Sequence, residues 1–251
     1  DFCLSRGLGD VYKRQVLAQV LATQGDYARV RSLLEEDLAL YQAMDLRYNT
    51  AYPLYLLARV LFLSQRDAEK ALTLAEESLT LSKEIGHKRL IAFVLNLLGQ
   101  ILLHRGEDAR ARTLTAESVA IFKVLGDRFG EAEAIITLAQ VAFFQRKLRE
   151  AQTLYEKSWT LLREINAKDL SATCIEGWGE VLAAQGALRP AIRLWGLAAT
   201  LRAEVGAPKP PVYRASYGQA VATTRAKLGQ EAFTAAWTEG RTMPLEQALV
   251  A

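Results

Sequence analysis

The chain has 251 residues, 51% hydrophobic and 24% charged, the balance of a folded chain with a water-facing surface. No stretch approaches the roughly 18 uninterrupted apolar residues of a membrane-crossing helix, and a net charge of +3 from 31 basic and 28 acidic residues gives little support to a nucleic-acid-binding surface. Cys3 and Cys174 are the only cysteines, too few for a disulfide framework or a cysteine-rich metal site, which fits a reducing, cytoplasmic setting.

Residues 1–15 contain the run Ser5-Arg6-Gly7-Leu8-Gly9-Asp10-Val11-Tyr12-Lys13-Arg14-Gln15, which resembles a translated adapter or assembly sequence. We set residues 1–15 apart from the fold on that ground. On this reading the chain is the C-terminal piece of a longer protein, and the lack of a signal peptide says nothing about secretion.

From Val16 onward the sequence repeats itself, and such a period decides the fold class before any local feature does. Gln24-Gly25-Asp26-Tyr27, Gln65-Arg66-Asp67-Ala68, Arg105-Gly106-Glu107-Asp108, Gln145-Arg146-Lys147-Leu148 and Gln185-Gly186-Ala187-Leu188 align with their second residues at 25, 66, 106, 146 and 186. Five residues later come Val30, Ala71, Ala111, Ala151 and Ala191, and three further on Leu33, Leu74, Leu114, Leu154 and Leu194. A second break falls at Asp45, Gly86, Gly126, Asn166 and Gly206. Five units result, about 16–45, 46–86, 87–126, 127–166 and 167–206.

Within a unit the apolar residues follow helical spacing, as in Leu154, Trp159, Leu161, Leu162 and Ile165, so each half-unit of roughly 17 residues is an amphipathic helix. Glycine or asparagine at the breaks suits a left-handed cap, and the short loops make the helices of a pair antiparallel. The first helix of each pair carries a large-small doublet: Leu17-Ala18, Leu57-Ala58, Leu98-Gly99, Leu138-Ala139 and Trp178-Gly179. The small residue lets the second helix approach closely.

This arrangement resembles the tetratricopeptide repeat, whose Leu-Gly, Ala and bulky positions are matched by Trp178-Gly179, Ala191 and Trp195. The period is longer than that repeat's 34 residues, the closing proline is missing, and the length is similar to repeats of kinesin light chains and MalT-like regulators. The resemblance implies an all-α, right-handed superhelical solenoid of about five antiparallel helix pairs.

Gly206-Ala207-Pro208-Lys209-Pro210-Pro211 ends the last unit, because clustered prolines cannot continue a helix. Residues 207–251 then supply capping helices, with Tyr213, Tyr217, Val221 and Leu228 near one face and Phe233, Ala236 and Trp237 beyond Gly229, to cover the open end of the array. The run from Ile192-Arg193-Leu194-Trp195-Gly196 through Gly206-Ala207-Pro208 and Leu228-Gly229 to Ala236-Trp237-Thr238-Glu239-Gly240-Arg241-Thr242-Met243-Pro244-Leu245-Glu246-Gln247-Ala248 is similar to the C-terminal end of bacterial STAND-type regulators. That likeness implies the sensing arm of an NB-ARC-like ATPase or a LuxR-type regulator, with the ATPase upstream of this chain.

Little in the sequence points to catalysis or cofactors. No G-x-x-x-x-G-K-[ST] loop occurs, Gly177-Trp178-Gly179 lies inside a helix where small residues serve packing, and His87 and His104 have no metal-ligand spacing. Cys174 sits in a helix as a half-buried, inert thiol. We expect no cofactor and no metal, and an enzyme is the least favoured class.

By the same resemblance the first helices, near 47–65, 88–105, 128–145 and 168–185, line a concave face. Positions six and three before the small residue and one after it then face the groove: Tyr52, Tyr55 and Arg59; Phe93, Asn96 and Gln100; Glu133, Ile136 and Gln140; Thr173, Glu176 and Glu180. The groove is aromatic and slightly basic at one end and acidic at the other. Asn96 could donate to and accept from a peptide backbone at once, or bond between helices. Tyr52 and Tyr55 read as contact aromatics or as packing between units, packing being favoured, and Trp159, Trp178 and Trp195 as structural. Glu133, Glu176 and Glu180 could attract a basic segment or remain a solvated face.

The leading functional expectation is a non-catalytic, signal-sensing scaffold that binds a peptide, a partner protein or an upstream ATPase domain, with no direct nucleic-acid or membrane contact. The alternative is a small-ligand sensor holding a metabolite or oligosaccharide in the superhelix interior. A closed pocket of convergent polar groups favours the sensor and a long open groove the protein binder. An RNA-reading array would need a basic groove, which the acidic fifth unit opposes.

Overall fold

A computed structural model describes residues 2–244, with side chains from Lys13 onward. Leu245 to Ala248 and the side chain of Cys3 lie outside the described residues. The chain forms six successive helix pairs: α1 (Phe2–Thr23) and α2 (Tyr27–Ala43), α3 (Ala51–Leu63) and α4 (Ala68–Glu84), α5 (Lys88–His104) and α6 (Asp108–Leu125), α7 (Arg128–Phe144) and α8 (Leu148–Ile165), α9 (Lys168–Ala184) and α10 (Leu188–Val205), α11 (Pro211–Leu228) and α12 (Gln230–Thr242). The repeated segments of the sequence fall on the first five pairs, and among the described residues there is no strand.

Every break is made the same way. Turns within pairs place Gly25, Gln65, Gly106, Arg146 and Gly186 at positive φ, and turns between pairs do so at Asp45, Gly86, Gly126, Asn166 and Gly206. In the second unit the left-handed residue is Gln65, one before the aligned Arg66, because the Arg66 amide bonds back to the Leu61 carbonyl. Asp26, Asp67, His87 and Asp127 each accept a backbone N–H of the following turn and so start α2, α4, α5 and α7.

The small residue of each doublet marks where two helices touch. Ala18, Ala58 and Ala139 are buried, and a Cβ on Gly99 or Gly179 would fall 2.2 Å from Thr115 Oγ1 or 2.4 Å from Trp195 Nε1. A second periodic device joins the helices of a pair through polar atoms. Ser78, Ser118 and Ser158 are fully buried, and their hydroxyls donate to the carbonyls of Ala51, Ala92 and Ala132 at 2.6, 2.7 and 3.0 Å.

The stretch set apart at residues 1–15 is continuous with α1, and Arg14 Nε lies 2.8 Å from the buried carboxylate of Asp37 on α2. At the other end α12 caps α10, with Phe233 and Ala236 packed on Ile192 and Trp195. Helix α11 departs from the expected cap. Its first turn enters the superhelix interior, where Val212 and Tyr213 join the hydrophobic cluster of α1 to α5, and its later residues Val221 and Leu228 return to pack near Phe233.

Candidate binding groove

Successive residues of a helix are about 100° apart around its axis, so when the small residue faces its sibling helix the next one turns toward the inside of the superhelix. Arg59, Gln100, Gln140 and Glu180 occupy that place on α3, α5, α7 and α9, and all four line the interior. Glu133, Ile136, Thr173 and Glu176 line it too.

Four expected groove residues are placed otherwise. Tyr55 is 5% exposed, its ring between Tyr52 and Phe93 with centroids 6.0 and 5.9 Å away, and Phe93 packs edge-on against Phe122. Tyr52 bonds Gln19 of α1. Asn96 is 2% exposed, and its side-chain oxygen has no partner. Tyr52, Tyr55, Phe93 and Asn96 touch neither of the two cavities of the interior; the three rings pack between units, where they gain more than by facing water. Trp159, Trp178 and Trp195 are buried as expected, and Trp195 Nε1 donates to the Glu176 carbonyl at 3.0 Å. Cys174 is fully buried rather than half-buried, and burial pushes its thiol up to about 12.

The acidic end of the groove holds a basic segment, and that segment is the chain's own. After the left-handed Gly206 the residues run extended through Pro210 (φ −57°, ψ 141°) into α11. Arg202 makes a bidentate pair with Glu176, at 2.7 Å to each oxygen, and also donates to Thr173 Oγ1 and the Ala207 carbonyl. Lys209 Nζ reaches the same carboxylate and lies 3.9 Å from the Tyr217 ring centroid. Farther along, Tyr213 packs edge-on against Phe62 and His104, and the Val212 backbone bonds His104. Pro208 sits against the α1–α2 turn at Gly25. The segment thus touches the first, second, third and fifth units and closes the opening of the superhelix.

This setting splits two neighbouring carboxylates. Burial opposes ionisation of Glu176, but the Arg202 hydrogen bonds and the Lys209 charge outweigh it and hold its pKa below the usual value. Glu180 has no such bonds, and burial, eased by Lys209 and reinforced by the Glu176 charge, pushes it up to about 7. Burial lowers Lys209 despite Glu176 beside it. Two cavities remain against the segment, of about 130 and 60 Å³, both touched by Gln100, Gln140, Thr173, Arg202 and Tyr213.

Tyr27, Arg202, Lys209 and Tyr213 were missed by helix spacing because they stand outside the first helices, and Asp169 because it stands in the first turn of α9, ten residues before Gly179. A lone lysine inside a proline run, in a chain with an acidic groove, is the one signal that could have found the segment. Among the described residues no cluster of His, Cys, Asp and Glu could hold a metal ion, and no helix is long and apolar enough to cross a membrane.

Comparisons with known proteins agree with this geometry. The tetratricopeptide repeat model matches twice, at residues 49–123 and 90–164. No match was found among curated proteins. Among solved structures the chain is similar to a Rap protein complexed with competence and sporulation factor, at TM-score 0.72 and 12% identity over 90% of this chain and 62% of that one. BtubC (BKLC) from P. vanneervenii aligns at TM-score 0.58 and 23% identity, over 80% of this chain and 82% of that one. A signal transduction ATPase with numerous domains (STAND) carrying a tetratricopeptide repeat sensor, from Pyrococcus horikoshii, aligns at 0.55 and 16% over 96% of this chain and 37% of that one. The chain therefore spans less than two thirds of the Rap protein and little over a third of the STAND protein. Residues 49–164 match the tetratricopeptide repeat, and the chain as a whole has an all-α, tetratricopeptide-like solenoid fold.

Proposed function

We propose that the concave face is a docking site for an extended, basic segment of a partner protein, and that the chain is a non-catalytic, cytoplasmic sensing arm of a signal-transduction ATPase or transcriptional regulator. The observation that carries the first part is the seating of Ala207 to Pro210. An extended stretch with a lysine already lies along the groove and meets Glu176 through its ammonium group. A groove that holds such a segment in cis has the charge and shape to hold one in trans, and an extended peptide read mainly through a few side chains is a recurrent mode of recognition. The sensing role is supported by the fold shared with the STAND protein's sensor and with the Rap protein, which was solved with competence and sporulation factor bound. The upstream ATPase of such an assembly is itself a candidate source of the segment.

Selection from a random peptide library against the whole chain tests the docking reading. Enrichment of lysine- or arginine-bearing peptides is expected, with loss of that enrichment in Glu180→Lys, which places a cation in the groove one helical turn from Glu176. Circular dichroism would establish that the variant keeps its helices. No enrichment, or enrichment indifferent to the substitution, would sink the proposal.

A further inference from the structure

The larger cavity has a chemistry that the docking of an extended segment does not use. It is closed by Tyr27 of α2 on one side and by Tyr213 of α11 on the other, and Arg59, Glu133, Gln140 and Asp169 reach it from three different units. Arg59 and Glu133 face each other at 3.6 Å, within ion-pair range and beyond a hydrogen bond. Each keeps hydrogen-bonding capacity that the other does not fill. Gln140 has no side-chain partner among the described residues, and the Asp169 carboxylate accepts no hydrogen bond there. The Glu133 side chain is only 13% exposed, and burial, countered by Arg59 and assisted by Asp169, raises its pKa.

A charge as enclosed as Glu133 is costly unless paired and bonded, and its pairing with Arg59, whose side chain is 38% exposed, is incomplete. A cation of the ligand would complete Glu133 and Asp169, and an anion would complete Arg59. Because Arg59 and Glu133 are adjacent, the two ligand charges must also be adjacent, as on a single carbon. Size sets a second limit. At 130 Å³ the cavity is about ten times the roughly 10–15 Å³ one water needs, and well short of the roughly 300–1,000 Å³ of a drug-sized site. We propose that this cavity binds a small zwitterion of the size and charge layout of a free α-amino acid, with its ammonium on Glu133 and Asp169, its carboxylate on Arg59, and Gln140 bonding either group.

The proposal concerns the same concave face but does not depend on peptide docking, and either can fail alone. Thermal melting of the whole chain with each free α-amino acid in turn, at millimolar concentration, is the first measurement. At least one should raise the midpoint saturably, while its N-acetyl and its amide derivatives, each lacking one charge, should not. Calorimetric titration of that amino acid should then weaken about tenfold or more in Glu133→Gln, which keeps an acceptor oxygen but removes the charge that strengthens its hydrogen bond to the ammonium. Gln140→Leu, at a side chain with no partner to lose, should also weaken binding and keeps the test valid if Glu133→Gln does not fold. No response to any free amino acid, equal response to the blocked derivatives, or unchanged binding in both variants would overturn the assignment.

Discussion

Glu176 and Glu180 are one helical turn apart on α9 and titrate in opposite directions, which makes the groove's electrostatics measurable. Glu176 is depressed by Arg202 and Lys209, so its contribution to stability is present above the unfolded carboxylate pKa and is lost as pH falls through the folded value. Glu180 has its folded pKa raised to about 7, against about 4.3 in an unfolded chain. Between those values the folded protein holds a proton that the unfolded chain has released, so stability declines as pH rises from about 4.5 to 7. A shift of that size corresponds to at most about 4 kcal/mol, and the residue's partial solvent contact reduces this to roughly 1–2 kcal/mol. Glu133, also raised, contributes with the same sign. We expect the urea midpoint to fall between pH 5 and 7.5, with a shallower slope in Glu180→Gln; an identical slope in the variant would show that Glu180 does not titrate there. The presence of these acids in the groove was legible in the sequence, because their distance from Gly179 fixes their direction. Their separation was not, because Lys209 lies 33 residues from Glu176 and nothing local links the two.

Among the elements, the repeated unit is held by devices of different legibility. Doublets such as Leu98-Gly99 could be read from spacing because glycine admits a contact that a Cβ would block. The serine bonds at 78, 118 and 158 share the same 40-residue period and went unread, since a serine in an amphipathic helix looks like surface until its carbonyl partner on the neighbouring helix is known. The turns are uneven in quality. Gly106 and Gly186 adopt positive φ without a side chain, whereas Arg146 does so at 63° with one. A residue with a Cβ in this region costs roughly 1–2 kcal/mol, partly offset by the entropy that glycine loses on folding. Arg146→Gly should therefore stabilise the chain by about 0.5–1 kcal/mol in urea denaturation, while Gly186→Ala should destabilise it by a similar amount. Equal or reversed effects would mean that the Arg146 side chain contributes more than its backbone strain costs.

At the scale of the molecule, a stacked array is expected to gain stability from neighbours only, so that a lesion at one end leaves the other end unaware. Closure by residues 207–217 changes this. Tyr213 lies against Phe62 and His104 in the second and third units and lines both cavities, Pro208 touches Gly25 in the first, and Lys209 is bound in the fifth. One short segment therefore contacts units far apart in sequence, and its contacts are lost together when it leaves. Tyr213→Ala removes a large side chain at the middle of this bridge without altering any unit of the array. Hydrogen exchange should rise in α1, α2 and α3 as well as in the mutated α11, with the interiors of α7 and α8 little changed, because the first pair has only α3 on its other side to hold it. A nearest-neighbour array would confine the increase to α11 and the helices it directly abuts, leaving α1 and α2 as protected as before. That second pattern would mean that the contact at Gly25 adds nothing to the hold on the first pair, and that the groove can open at its C-terminal side without the first unit responding.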